Sequence, residues 1–255
     1  NGIKMIKYLF KIPYIRKKFV HCIKYDFFSE LELSMPIKNG YWANLTENDS
    51  YDSFSEIFVE NEYKDFVPEI KIKSLLDLGA HYGFFTMWLQ SNQPDHKIDT
   101  LLVEPASNCK NALDALVKDN DNNITFINKC IDKPGLIKTE FYERPHMASS
   151  STIIDEKEKP IKISILQIEE ITNWKSPPYD LLKCDIEGAE YTLINEYSYI
   201  LQNTRYLIIE WHKESSDYND FLVRICKLEF RLLKSTFNKP SNPSTAVLLF
   251  KNNLL

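Results

Sequence analysis

In the stretch DLGAHYG, Asp77, Gly79, Ala80 and Gly83 stand as D-x-G-A-x-x-G, directly behind the apolar run SLL and ahead of FFTMWL. A glycine-broken turn between a buried strand and a helix is a common seat for a nucleotide. The dinucleotide pattern G-x-G-x-x-G fails here, because His81 and Phe84 occupy its second and third glycine positions counted from Gly79. No G-K-[ST] follows, which excludes a phosphate-cradling P-loop. A carboxylate two residues ahead of the turn would repel phosphate, whereas it suits a ligand carrying an ammonium and a sulfonium.

S-adenosylmethionine carries both groups. Two later segments offer what its remaining parts require. The run DTLLVEP places Glu104 about twenty-five residues after Gly79, where an acid can accept from both ribose hydroxyls. The run NKCID offers Asp132 to the adenine amino group, with Cys130 and Ile131 as an apolar edge.

A second dense stretch, YDLLKCDIEGAEYTLI, crowds Asp185, Glu187 and Glu190 around Gly188, with Lys183 two residues before Asp185. One acid at a helix start is ordinary capping chemistry, and three exceed it. Further on, Glu210 and His212 are two apart in LIIEWH, so a strand would present both on one face. An alcohol needs help in losing its proton, from a base or a metal. Asp185, Glu187 and His212 are therefore expected to face a methyl acceptor, with His212 as the base because its ordinary pKa lies closest to 7. Asp185 with Glu210 or His212 could instead hold a divalent ion.

These residues need a sheet to hold them. Short β-rich runs at 74–79, 99–104, 124–129, 180–185, 206–211, 230–236 and 245–251 alternate with helical periodicity at 83–92, 107–119, 188–201 and 217–228. That order predicts a seven-stranded, mostly parallel α/β sheet with helices on both faces. The last two strands, joined by FNKPSNPS, read as an antiparallel hairpin. The region 131–179 interrupts the alternation with two further strand-like runs, LIKTEFYE and IKISILQI. It is expected to overhang the carboxyl ends of the strands, with Arg144 and His146 reaching the acceptor. Residues 1–73 form an N-terminal extension ahead of the 74–255 domain, with a helix begun by Asp52 or Ser53 and stopped by Pro68.

A net charge of -5 over 255 residues argues against a protein that grips nucleic acid. Five scattered cysteines, with no C-x-x-C pair, fit a reducing cytoplasm without structural zinc. No apolar run reaches membrane-spanning length. The N-terminus interleaves Lys4, Lys7, Lys11, Arg16, Lys17 and Lys18 with apolar residues, which suits an arm packed on the domain or a peripheral contact with a membrane. Pro13 interrupts its period. Tyr41, Trp42, Phe54 and Tyr63 are core or a wall for a sugar ring.

The segments DLGAHYGFFT (77–86), VEP (103–105), YDLLKCDIEGAEYTLI (179–194) and LIIEWH (207–212) together resemble the FkbM family of S-adenosylmethionine-dependent methyltransferases. The resemblance implies a class I, Rossmann-like methyltransferase fold and O-methylation of a hydroxyl on a sugar, glycan or secondary metabolite. It assigns to the cofactor Asp77, Gly79, Ala80, His81, Gly83, Phe84, Thr86, Glu104, Pro105 and Asp185, and to the acceptor Glu190 and Glu210. His81 replaces a small polar residue common in the family turn, and Gln167 and Glu169 stand in LQIEEI where the family carries Leu-Asp. Other readings are an amine or carboxylate acceptor, or a binding module without chemistry.

Overall fold

The central strands form because their residues can be buried on both sides. Ser74–Leu78 (β3) and Tyr179–Cys184 (β8) are buried at every position, the pattern of parallel strands covered by helices on both faces. The computed structural model describes residues 2–25, 33–46, 48–119, 123–143, 159–213, 217–237 and 244–255.

Within them, Gly2–Leu9 (α1) and Pro13–Tyr25 (α2) precede a small hairpin of Leu33–Pro36 (β1) and Trp42–Leu45 (β2), then Asn48–Phe54 (α3), which continues as a π-helical turn over Ser55–Glu60. After β3 come Phe84–Asn92 (α4), Asp99–Val103 (β4), Lys110–Lys118 (α5) and Ile124–Ile127 (β5). Lys138–Phe141 (β6) and Ile161–Ser164 (β7) pair as a separate antiparallel hairpin, followed by Ile168–Trp174 (α6) and β8. The chain ends through Glu190–Glu196 (α7), Ser198–Gln202 (α8), Thr204–His212 (β9), Tyr218–Lys227 (α9), Phe230–Phe237 (β10) and Thr245–Asn252 (β11).

The main sheet has the order β10-β11-β9-β8-β3-β4-β5, with β11 antiparallel to both neighbours and the rest parallel. All seven strands lie where the sequence pattern puts them. The chain leaves β3 toward β4 on one side and returns to β8 on the other, so a crevice opens at the carboxyl end of β3, where such sheets bind ligands.

Alternate residues feed two cores. Leu75, Leu102 and Leu181 join a cluster with α4 and α5, which also takes in Leu9, Ile15, Met35, Leu45 and Phe54 from the N-terminal segment. Leu76, Leu101 and Leu182 join the opposite cluster with α6 through α9. Leu9 and Ile15 thus anchor the basic arm on the domain, and Pro13 opens α2.

Three boundaries differ from the expected ones. The helix ahead of β3 starts at Asn48 and ends at Glu60, because Asn61 takes a left-handed φ of 57° well before Pro68. The helix expected over 188–201 is broken at Tyr197, whose buried hydroxyl donates to the Leu166 carbonyl (2.5 Å) and lies 3.0 Å from that of Asp132. The end of ILQI begins α6 through a reciprocal cap of Gln167 and Glu170. Gln167 also accepts from Gly135 N (2.8 Å) and donates to the Leu136 carbonyl (3.0 Å), so it closes the loop where the family residue differs. No helix among the described residues is long and apolar enough to cross a membrane.

Candidate active site

The β3–α4 turn is tied to the neighbouring strand rather than left open. The N–H groups of Gly79 and Ala80 donate to the Val103 carbonyl (2.9 and 3.1 Å), and His81 N donates to Glu104 Oε2 (2.8 Å). Gly79 has a φ of +73°, and a β-carbon there would lie 1.6 Å from the Asp185 carbonyl oxygen. Gly83 answers a packing need instead: its missing β-carbon would sit 2.6 Å from Leu116 Cδ2. Phe84 is corrected in the same way. It packs on Phe54, Phe58 and Tyr82, so its side chain belongs to the core.

Asp77 is wholly buried beneath the turn. Its Oδ2 accepts from Thr86 Oγ1 (2.7 Å), and its Oδ1 lies 3.8 Å from Lys183 Nζ. Burial raises its pKa against the opposing charge of Lys183. Lys183, 5% exposed, donates to the Gly79 carbonyl (2.8 Å) and lies 3.7 Å from Asp185. Asp77 and Thr86 therefore hold Lys183 and the turn in place; they do not line the opening.

Glu104 ends β4 with both oxygens already accepting, Oε1 from Ala106 N at 2.9 Å and Oε2 from His81 N. Burial pushes its carboxyl up to about 7 despite those two bonds. Asn128 Nδ2 donates to the carbonyls of Glu104 and Pro105, which joins the ends of β4 and β5. Cys130 and Ile131 are buried beyond β5, and Asp132 caps its own turn by accepting from Lys133 N (2.7 Å). Arg144 and His146 lie outside the described residues.

The second acid group gathers at the ends of β8 and β9. His212 Nδ1 donates to Glu190 Oε1 (2.8 Å), while Nε2 lies 3.4 Å from Glu187 Oε2 and 4.0 Å from Glu210 Oε1. Burial works against a charge on His212, but the bond to Glu190 and the nearby carboxylates prevail and push it up to about 10. A His212 so shifted carries a proton near neutral pH and donates hydrogen bonds, the opposite of the base role expected from its ordinary pKa. Glu190, wholly buried, holds His212 and does not reach an acceptor. Glu187, in a left-handed turn with φ 49°, is pushed up to about 8 by burial and by Asp185, and burial also drives Glu210 well above the ordinary carboxylate range.

A cavity of about 350 Å³ joins the two groups. Gly79, Ala80 and His81 line one end, Asp185, Glu187 and Glu210 the other, and Asp49, Asp52, Glu56 and Glu62 close it from α3 and the turns after it. Seven carboxylates thus face one lysine, Lys183. Burial and mutual repulsion push Glu56 and Glu62 up to about 7. His81, with a φ of +51°, is held neutral by burial and by Lys183, down to about 4, and its Nε2 is buried without a partner. The lining fits a ligand that is cationic at one end and offers hydrogen-bond donors, as S-adenosylmethionine does.

The family model for the methyltransferase FkbM domain matches residues 77–232. The chain belongs to the FkbM methyltransferase domain family. It is accordingly an S-adenosylmethionine-dependent methyltransferase with a class I, Rossmann-like fold. A solved FkbM methyltransferase from Methylobacillus flagellatus KT is 14% identical, with a TM-score of 0.50 over 81% of this chain and 56% of that one. The PH0793 protein of Pyrococcus horikoshii is 10% identical, with a TM-score of 0.50 over 87% of this chain and 72% of that one. No curated protein sequence matches the chain. Sequence reasoning missed the acids of the segment ahead of the matched FkbM domain. Their signal was the spacing of Asp49, Asp52 and Glu56, one face of a helix, which motifs confined to the sheet ends do not reveal.

Proposed function

We propose that this FkbM methyltransferase transfers a methyl group from S-adenosylmethionine to a hydroxyl of a sugar, glycan or secondary metabolite. The observation that carries the reading is the single cavity running from the Gly79–His81 turn to Asp185, Glu187 and Glu210. In-line attack by the acceptor oxygen forms the O–CH3 bond as the S–CH3 bond breaks, and the electron pair stays on sulfur. The hydroxyl proton passes to Glu210 in its ionised form, a stronger base than an exposed carboxylate because burial raises its pKa. Cationic His212, fixed by Glu190, orients Glu187 beside the acceptor.

The charge of the cavity favours a second reading, in which the acceptor carries an ammonium, as an amino sugar does, and is methylated on oxygen or on nitrogen. An anionic acceptor would meet seven carboxylates and is disfavoured. Calorimetry with S-adenosylmethionine, S-adenosylhomocysteine and NAD tests the cofactor: the first two bind, NAD does not, and Glu104→Gln weakens binding about tenfold, or ~1.4 kcal/mol. Transfer of labelled methyl to neutral and amino sugars, with the linkage assigned by NMR, tests the acceptor. Label found only on nitrogen would overturn the hydroxyl reading.

A further inference from the structure

We propose that Asp185, Glu187 and His212 form a site for a divalent cation of the magnesium and manganese class. One ligand atom from each lies within 4.8 Å of the others, and Glu187 Oε2 is 3.4 Å from His212 Nε2. Donors about 2.1 to 2.2 Å from a common ion stand roughly 3 to 4.4 Å apart, so a few tenths of an ångström of side-chain adjustment closes the set. Two carboxylates and an imidazole leave about three positions of an octahedron for water or an acceptor hydroxyl.

Three further observations separate this group from an ordinary acidic surface. His212 is 7% exposed, and its Nδ1 is bonded to Glu190, which is 0% exposed; this carboxylate–imidazole pair fixes the ring so that Nε2 faces the acids, and binding the ion releases the Nε2 proton that His212 otherwise carries. Two buried carboxylate oxygens at the cluster, Asp185 Oδ1 and Glu190 Oε2, have no hydrogen-bond partner. Across the same cavity, the buried His81 Nε2 is likewise unpartnered. Lys183, the one cation of the lining, is already engaged by the Gly79 carbonyl.

The sequence pattern suggested Glu210 as a ligand. The structure puts Glu187 in that place and leaves Glu210 4.0 Å from His212 Nε2, on the cavity wall, where it can take a proton. What the ion does rests on the methyltransferase reading: it would seat the acceptor hydroxyl and ease the loss of its proton. Its binding does not depend on that reading.

The test is a manganese(II) titration of the chelator-stripped full chain, followed by electron paramagnetic resonance, with S-adenosylhomocysteine affinity measured on the same samples. One manganese ion per chain is expected. Asp185→Asn, Glu187→Gln and His212→Gln should each weaken it at least tenfold, and Glu190→Gln about ten- to a hundredfold. Asp114→Asn, exposed on α5 and outside the cavity lining, should change it less than about threefold. Glu187 is partly exposed, so its variant remains informative if the His212 variant fails to fold. No stoichiometric binding up to about 1 mM manganese overturns the site, and so does an equal loss for Asp114→Asn and Glu187→Gln. Intact S-adenosylhomocysteine binding without manganese binding refutes the ion alone. Manganese binding without S-adenosylhomocysteine binding upholds the ion and refutes the cofactor reading.

Discussion

Alanine at position 79 would place its β-carbon 1.6 Å from the carbonyl oxygen of Asp185 and 2.7 Å from the carbonyl carbon. Three substitutions separate the components of that cost. Gly135, at φ +91° with nothing within 4 Å of a built β-carbon, isolates backbone strain. A left-handed conformation costs an L residue about 1–2 kcal/mol, so Gly135→Ala should lose about that much. Gly83→Ala, at φ +76°, adds contacts of 2.6 and 3.1 Å with the methyl ends of Leu116 and Leu113. Those ends can move, and overpacking adds about 1–3 kcal/mol. At Gly79 the obstacle is backbone. Restoring ordinary contact needs a displacement of roughly 1.8 Å or more between the ends of β3 and β8, where Asp185 N donates to the Leu78 carbonyl at 3.0 Å. Losing that bond on top of strain and overlap brings Gly79→Ala to at least about 4–5 kcal/mol, much of the stability of an ordinary domain. Urea denaturation of the three variants, with equal slopes required for comparison, measures the series, and S-adenosylhomocysteine affinity reports on the site. A Gly79→Ala chain within about 1 kcal/mol of Gly135→Ala would refute the argument.

Glu104 has a folded pKa of about 7 against its ordinary 4.5, so between those values the folded protein holds a proton that the unfolded chain releases. Its contribution is complete below pH 4.5 and is lost as pH rises through 7, at most roughly 3 kcal/mol; Glu104→Gln should flatten the ligand-free pH dependence of the urea midpoint in that window. Lys183→Met removes the cation beside buried Asp77 and Asp185 and the donor to the Gly79 carbonyl. A loss of about 3–5 kcal/mol in urea denaturation at pH 7 is expected, and a loss under about 1 kcal/mol would count against the ion-pair account. Asp217 caps α9 by accepting from Asn219 N (2.9 Å) and Asp220 N (3.1 Å), so Asp217→Ala should cost about 1 kcal/mol, or ~2–4 °C in Tm, with cofactor affinity unchanged.

Much of the fold was legible in the sequence because its cause is local. A strand buried on both faces must be apolar along its length, as SLLDL and YDLLKC nearly are, and the helices between carry their own three- and four-residue spacing. Gly79 could be read for the same reason, since a turn of this kind needs backbone freedom at that position. The boundaries that moved depend on distant partners: Tyr197 leaves its helix to reach Leu166 and Asp132, which no window around it reveals.

What the sequence by itself determined is the sheet, its order of helices, and the set of acids and turns delivered to one edge of it. Only the tertiary structure decided their roles. Asp77 and Glu190 look like ligand groups in a motif and are in fact buried supports for Lys183 and His212. His212, neutral at pH 7 as a free side chain, is pushed up to about 10 because carboxylates from two segments surround it. Asp49, Asp52 and Glu56 became part of the site only when α3 folded over the crevice. Backbone form follows from neighbours in sequence, whereas charge state and burial follow from neighbours in space, and here those come from segments more than a hundred residues apart.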